Sequence, residues 1–312
     1  MTQLAYAAKH NNNDIRLSSR SGGAFTGFTD YILENGGTVY GCILDDSFKA
    51  VHSRASSKTE RDKMLGSKYV QSEIGNTFKQ CADDLKNDGL VLFSGTPCQI
   101  NGLKNYLALN KINTDKLITV DILCHGVPSP LLWKSYFEYV SKNNKVISVD
   151  FRDKSYDGWR DHVESVTFPS KKYYSRKYSE IFYKHVSLRP SCFECPYKNF
   201  NRQGDISLGD FWGIEHLDKS FDDNKGVSLI LINSDKGLSI FNEIKSSFEI
   251  REYPAASAMQ PALKQNYKAP DNRSLFWEDF HNMPVDKLVS KWGKEGKIKI
   301  LKRFVKKMLR RA

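Results

Sequence analysis

The sequence predicts an α/β fold with α+β character: a mixed sheet flanked by helices, with its functional groups on loops at strand ends. Three observations predict it. Residues 90–94 and 117–123 are short, continuous apolar runs, the pattern of strands buried on both faces. Each is followed by a loop and a helix-period segment, so the order strand, loop, helix repeats. The chain is also long enough to bury a sizeable core, with 312 residues of which 40% are hydrophobic and 12% aromatic.

Taken in order, residues 1–16 read as irregular and polar, with Asn11-Asn12-Asn13 a loop signal. Small residues and glycines over 18–23 precede a helix at 24–34. Ser21 is its candidate cap, and free N–H groups at such a start bind phosphate; a plain capped loop accounts for the same residues. Residues 37–44 alternate as a strand carrying Cys42, a core thiol, and 48–54 form its hairpin partner. A polar helix follows at 58–64. Residues 66–72 place a lysine, a phenol and an amide close together, an inventory suited to a cofactor ring and its phosphates and also common on bland surface. Residues 75–87 form an amphipathic helix on which Cys81 is structural.

The strand at 90–94 feeds Gly95-Thr96-Pro97-Cys98 and a helix through Leu107. The strand at 117–123 feeds Cys124-His125-Gly126-Val127-Pro128 and a helix at 130–141. Strands follow at 146–152 and 163–168, then an aromatic and basic stretch at 171–186. Residues 204–213 read as a strand ending in a glycine-rich turn with Asp205 and Asp210, either turn caps or ligand contacts. Residues 227–233 are a core strand and 235–249 a helix. Past Pro254 the pattern weakens, and 297–310 is basic and amphipathic. The expected division is residues 1–88, 89–255 and a basic helical tail over 256–312.

The formal charge of +11 is concentrated near 291–311 and 171–189, and no nucleic-acid motif accompanies it. Such a surface suits an acidic redox partner or an anionic cofactor, and the tail suits peripheral membrane contact. No apolar run approaches the ~18 residues of a membrane span, and no secretory signal pattern opens the chain, so a cytoplasmic location is expected. The six cysteines are then thiols or metal ligands. Cys192-Phe193-Glu194-Cys195-Pro196 is the strongest such signal, because a C-x-x-C turn brings two sulfurs to one centre. Cys98 and Cys124 occupy equivalent places after two strands, where α/β folds gather functional groups, and converge on one centre in the sharper reading.

The chain resembles the coenzyme F-420 hydrogenase/dehydrogenase beta-subunit family over about residues 5–233. The resemblance rests on Ser-x-Ser-Gly-Gly at 19–23, Gly-Ser-Lys-Tyr-Val-Gln at 66–71 and Gly-Thr-Pro-Cys-Gln at 95–99. It continues through Cys-His-Gly-Val-Pro-Ser-Pro at 124–130, Phe-Arg-Asp-Lys at 151–154, Cys-x-x-Cys-Pro at 192–196 and Gly-Asp-Ile-x-Leu-Gly-Asp-Phe-Trp-Gly at 204–213. It implies an iron–sulfur flavoprotein oxidoreductase. Its 4Fe–4S cluster would sit on Cys98, Cys124, Cys192 and Cys195. Its FAD would be held by Ser19, Ser21, Gly22, Gly23, Lys68, Tyr69, Gln71, Gly95 and Thr96. Electrons would pass between ferredoxin, or the deazaflavin coenzyme F-420, and a small-molecule substrate, with polysaccharide biosynthesis a setting suggested by similar bacterial members.

His125 is the candidate proton donor, or else a structural loop histidine. Many relatives open with a cysteine-rich ferredoxin-like module, whereas this sequence has no cysteine before Cys42. Either a separate ferredoxin serves it, or the chain is a truncated or degenerate member. The rival readings are a non-catalytic zinc protein built on four sulfurs and an interaction protein using its basic surface.

Overall fold

The computed structural model describes residues 4–296 and Ile300. Its strands are β1 (Leu4–His10), β2 (Thr38–Leu44), β3 (Ala50–Ala55), β4 (Val91–Gly95), β5 (Leu117–Ile122), β6 (Ser148–Asp150), β7 (Glu164–Thr167), β8 (Lys172–Ser175), β9 (Ile206–Asp210), β10 (Ser228–Ile232) and β11 (Phe248–Pro254). Eight form one mixed sheet in the order β11-β1-β10-β9-β5-β4-β2-β3, and β6-β7-β8 form a small antiparallel sheet. The middle of the large sheet, β2-β4-β5-β9, is parallel, and the strands outside it pair antiparallel.

The main helices are α1 (Asn13–Ser18), α2 (Ala24–Glu34), α3 (Lys58–Asp62), α4 (Thr77–Lys86), α5 (Pro97–Leu109), α6 (Pro130–Ser141), α7 (Lys154–Asp157), α8 (Lys177–Tyr183), α9 (Ile214–Leu217), α10 (Asp235–Ile244), α11 (Pro261–Lys264), α12 (Arg273–Asn282) and α13 (Val285–Trp292). Successive strand residues face opposite sides, and both sides of the parallel half are covered. Leu92 packs with Phe28 and Ile32 of α2 and Phe241 and Ile244 of α10. Val91 and Phe93 pack with Cys81 and Leu85 of α4 and Ile100 and Leu103 of α5. That two-sided burial is why β4 is a continuous apolar run.

Three expectations are corrected. Residues 4–10 are a strand, although their alanines favour helix, because β1 lies between β10 and β11 and buries Ala5, Ala7 and Ala8 completely. The helix expected over 235–249 ends at Ile244, and Phe248 begins β11, which pairs along the whole of β1. The part of the expected tail before residue 297 contains α12 and α13, whose Phe276, Leu288, Val289 and Trp292 join a core with Trp133 and Tyr136 of α6 and Tyr178 of α8. The basic segment 297–310 lies outside the described residues, apart from Ile300. The division at 88/89 falls between strands of the same sheet. Among the described residues no helix is long and apolar enough to cross a membrane.

Candidate functional site

The site lies at the carboxyl ends of the parallel strands. β4 runs into Thr96, the residue before α5, and places Cys98 in the first turn of that helix with its surface exposed. β5 runs into Cys124. The C-x-x-C turn is stitched to this second loop: Arg189 N–H donates to Val127 O at 2.9 Å, and Ser129 N–H donates to Ser187 O at 3.1 Å. Gly126, at φ +133°, allows the approach, since a Cβ there would lie 3.5 Å from the Cys192 Cβ and 2.9 Å from Leu188 Cδ1. Beyond the turn, Tyr197 OH accepts from Asn101 Nδ2 of α5 at 3.0 Å.

Four cysteines from three segments of the chain thus come near enough to influence one another's charge. Burial pushes the Cys124 thiol up to about 12, and the charges of Cys192, Cys98 and Cys195 add to the shift. Cys192 is raised by burial and then by Cys195 and Cys98. Thiols that oppose one another's ionisation are relieved by a bound cation. Among the described residues, however, no three His, Cys, Asp or Glu side chains form a group that a single metal ion would suit. One zinc with four sulfurs needs them about 3.8 Å apart, from Zn–S bonds of about 2.3 Å. These thiols sense one another electrostatically without closing to that arrangement. The remaining thiols, Cys42 and Cys81, are pushed upward chiefly by burial.

His125 is enclosed. Tyr267 OH lies 2.9 Å from its Nδ1, and His185 Nε2 lies 2.7 Å from its Nε2. The Tyr267 ring stacks on it at 4.1 Å. Burial, with His185 and Lys198 close by, lowers its pKa to about 3, so the imidazole is neutral around pH 7 rather than titrating there. Lys198 donates to His125 O at 3.0 Å and feels the charges of Cys124, Cys195 and Cys192, although burial still lowers its pKa. A string of rings leads away from the thiols: His125 to Tyr183 at 5.6 Å, Tyr183 to His162 at 5.3 Å, and His162 to Tyr69 at 4.5 Å.

At the far end of the string, the 66–71 loop borders a cleft of about 560 Å³ lined by Ser19, Arg20, Gly66, Asp150, Lys154 and Lys225, among others. Arg20 is buried. It meets Asp150 at 3.5 Å, but its Nε and Nη2 have no hydrogen-bond partner. Burial, with Arg20 and Arg16 nearby, lowers Lys154 to about 7. An unsatisfied guanidinium beside a second depressed cation is a built seat for an anion.

The sequence-derived flavin residues divide into two groups. Ser19, at the cleft, donates its hydroxyl to Ile15 O at 2.7 Å. Tyr69 joins the ring string. Gln71 N–H donates to Pro128 O at 3.1 Å, which holds its loop against the Cys124 loop. Gly95 and Thr96 lie beside Cys98. By contrast, Ser21 donates to Val227 O at 2.8 Å, and Gly22 N–H donates to Ser228 Oγ at 2.9 Å. Gly22 also lets two backbones cross, because a Cβ there would sit 2.0 Å from Ala8 O. Gly23, at φ +93°, is the residue before α2, so Ser21 does not cap that helix; Ser228 Oγ accepts from its Ala24 N–H at 3.4 Å. Lys68 donates to Lys63 O and Leu65 O at 3.0 and 2.8 Å, and burial lowers it to about 8.

Asp205 holds Thr119 and Ser234, and Asp210 pairs with Arg152 and accepts from Trp159 Nε1 at 2.8 Å, so both carboxylates brace the fold. Sequence reasoning missed Arg20, Lys154, Lys198, Tyr267, His162 and His185. The first two stand inside motifs, Ser18–Gly23 and 151–154, and a cation within a glycine–serine loop is the signal that could have pointed to Arg20.

Comparison with known proteins adds two findings. The family model for the C terminus of the coenzyme F420 hydrogenase/dehydrogenase beta subunit matches residues 88–257. Solved structures are also similar, among them a chain of the xenon-derivatised F420-reducing nickel–iron hydrogenase complex from Methanosarcina barkeri. That chain is 17% identical, with a TM-score of 0.57, and the match covers 88% of this chain and 91% of that one. At that identity the likeness concerns the fold. No curated protein sequence matches the chain significantly.

Proposed function

Since the chain belongs to the coenzyme F-420 hydrogenase/dehydrogenase beta-subunit family, a family of redox proteins, we propose that it is an iron–sulfur flavoprotein oxidoreductase. Cys98, Cys124, Cys192 and Cys195 would hold a 4Fe–4S cluster, and the cleft beside Arg20 would hold FAD. The observation that carries this reading is that the thiols after β4 and β5 and the C-x-x-C pair come near one another, with rings leading from His125 to Tyr69, in the loop whose Gly66 borders the cleft. Four cysteine thiols are the donor set that such a cluster takes, and Cys98, Cys124, Cys192 and Cys195 would hold it as an electron-transfer centre. The cleft fits a dinucleotide, whose phosphates would satisfy Arg20 Nε and Nη2 and relieve the crowded charge on Lys154.

Bound together, the two groups would convert single electrons into a two-electron hydride transfer. The protein's own residues do the rest. Tyr69 and His162 present ring faces between cleft and thiols. Phe182, tilted against His125 with ring centroids 4.8 Å apart, helps exclude water there. Lys198 places a buried positive charge beside three ligand sulfurs, which favours added negative charge at that centre. His125, kept neutral and held from both ring nitrogens, positions the Cys124 loop.

The electron donor on this reading is a ferredoxin or the deazaflavin coenzyme, and the acceptor is a small molecule. The test is an anaerobic absorption spectrum with iron, sulfide, zinc and flavin assays on one sample. Flavin bands, a broad charge-transfer shoulder and about four irons per chain are the expected result, with the iron lost in Cys98→Ala. Zinc without iron or flavin refutes the proposal and leaves a structural metal protein.

A further inference from the structure

Gln99, the last residue of the Gly95–Gln99 motif, opens a hydrogen-bond chain that runs away from Cys98 into the core. Its direction is fixed by its members. His52 Nε2 lies 3.1 Å from Ser94 O, a carbonyl that only accepts, so Nε2 carries the proton and Nδ1 is the acceptor. Ser72 Oγ, 3.0 Å from Nδ1, must then donate to it. With its proton committed, Ser72 Oγ accepts from Gln99 Nε2 at 2.9 Å. The Gln99 carboxamide is thereby oriented with Oε1 toward Thr96, and it accepts the Thr96 N–H at 2.9 Å. His52 is buried, and burial lowers its pKa to about 4, so the chain keeps this polarity near neutral pH.

Thr96 Oγ1, which faces the Gln99 backbone N–H in a capping box, stands at the open end with two groups to which its proton can go, Gln99 Oε1 at 3.0 Å and Cys98 Sγ at 3.1 Å. A hydroxyl has one proton to give. While Cys98 carries its own hydrogen, S–H can donate to Oγ1 and the hydroxyl can donate to Gln99. A sulfur bound to iron has no hydrogen, and the hydroxyl becomes the donor at hand for it. Gln99 Oε1 is not orphaned by the change, because it retains the Thr96 N–H. We propose that Thr96 is a positioning residue for the redox centre: its hydroxyl turns to the ligated Cys98 sulfur and, by stabilising added negative charge there, raises the reduction potential of the cluster. The inference rests on the cluster reading given above.

The test is the one-electron reduction potential of the reconstituted cluster, followed by electron paramagnetic resonance in an anaerobic redox titration. Thr96→Val removes the donor and should favour the oxidised state about tenfold, which is about 59 mV downward for one electron. Thr96→Ser keeps the hydroxyl and should keep the wild-type potential. Gln99→Leu removes the competing acceptor and should leave the potential equal or higher. This third variant carries the test if Thr96→Val does not fold. An unchanged potential in Thr96→Val, or a lower one in Gln99→Leu, overturns the inference while the cluster reading stands. A wild-type chain that takes up no iron and sulfide overturns both.

Discussion

Arg202 ties the C-x-x-C arm to the sheet, and its replacement by methionine should be severe. Its guanidinium and the Asp121 carboxylate are 1% and 0% exposed. Arg202 Nε and Nη2 reach Asp121 Oδ1 at 3.2 and 2.6 Å, while Gln203 N–H and Gly204 N–H reach Oδ2 at 2.9 and 2.8 Å. Methionine fills much of the space but leaves a buried carboxylate with its two backbone donors only. Breaking a buried pair from one side costs about 3–5 kcal/mol, and the two surviving N–H bonds place this case near 3. With a urea slope of about 3 kcal/mol/M, the midpoint should fall by about 1 M. Adding Asp121→Asn removes the stranded charge and keeps an oxygen for Gln203 and Gly204, so the double variant should recover more than half of the loss. Urea denaturation of the four proteins measures this cycle. A single variant costing less than about 1 kcal/mol, or an asparagine that deepens the loss, would refute the reasoning.

Other consequences follow from the same geometry. Arg20→Ala should weaken FAD binding about tenfold to a hundredfold, the worth of one or two charge-assisted hydrogen bonds, while leaving the iron content intact; flavin fluorescence titration measures it. Gly22→Ala forces a Cβ to within 2.0 Å of Ala8 O and 2.5 Å of Ser228 N, and should cost at least about 3 kcal/mol or yield insoluble protein, which a thermal melt of the soluble fraction would reveal. At Asp153, burial raises the carboxyl, but the Lys172 ammonium and the Ser155 and Ser165 hydroxyls outweigh it and hold the group at about 2. Its folded pKa is below the unfolded ~3.9, so its stabilisation is present above pH ~4 and is lost as pH falls toward 2. Asp153→Asn should flatten that acid limb of the urea midpoint against pH, and an unaltered limb would contradict the assignment.

The sequence made the parallel half of the sheet legible because burial on both faces leaves an unambiguous mark. Val91–Gly95 and Leu117–Ile122 were expected within a residue or two. It concealed β1, whose stabilisation comes from partners more than two hundred positions away and whose alanines suit the close passage of Gly22 rather than strand propensity. The nearness of Cys98, Cys124 and the C-x-x-C pair was legible because two of the thiols follow adjacent strands and the other two share one turn. Arg20 and Lys154 were not, because what distinguishes them from surface cations, two unpartnered nitrogens on Arg20 and crowded charge around Lys154, exists only once residues 16–20, 150–154 and 224–225 meet.

The same reasoning explains why the end of the chain belongs to the site. The family match stops at residue 257, yet Tyr267 lies beyond it and supplies the ring stacked on His125 and the hydroxyl facing Nδ1. Arg273, at the start of α12, donates to Leu188 O at 3.1 Å, on the strand bridge that holds the C-x-x-C turn against Pro128. α13 then closes the core beneath α6 and α8, the helix that carries Phe182 and Tyr183 in the ring string. The terminal segment is thus tied to the site by two residues, Tyr267 and Arg273, and by the apolar face of α13, whose Leu288, Val289 and Trp292 share one core with α6 and α8. Removing it would strip rings from His125 and support from the turn that carries Cys192, so the thiol end of the site depends on residues outside the matched family segment.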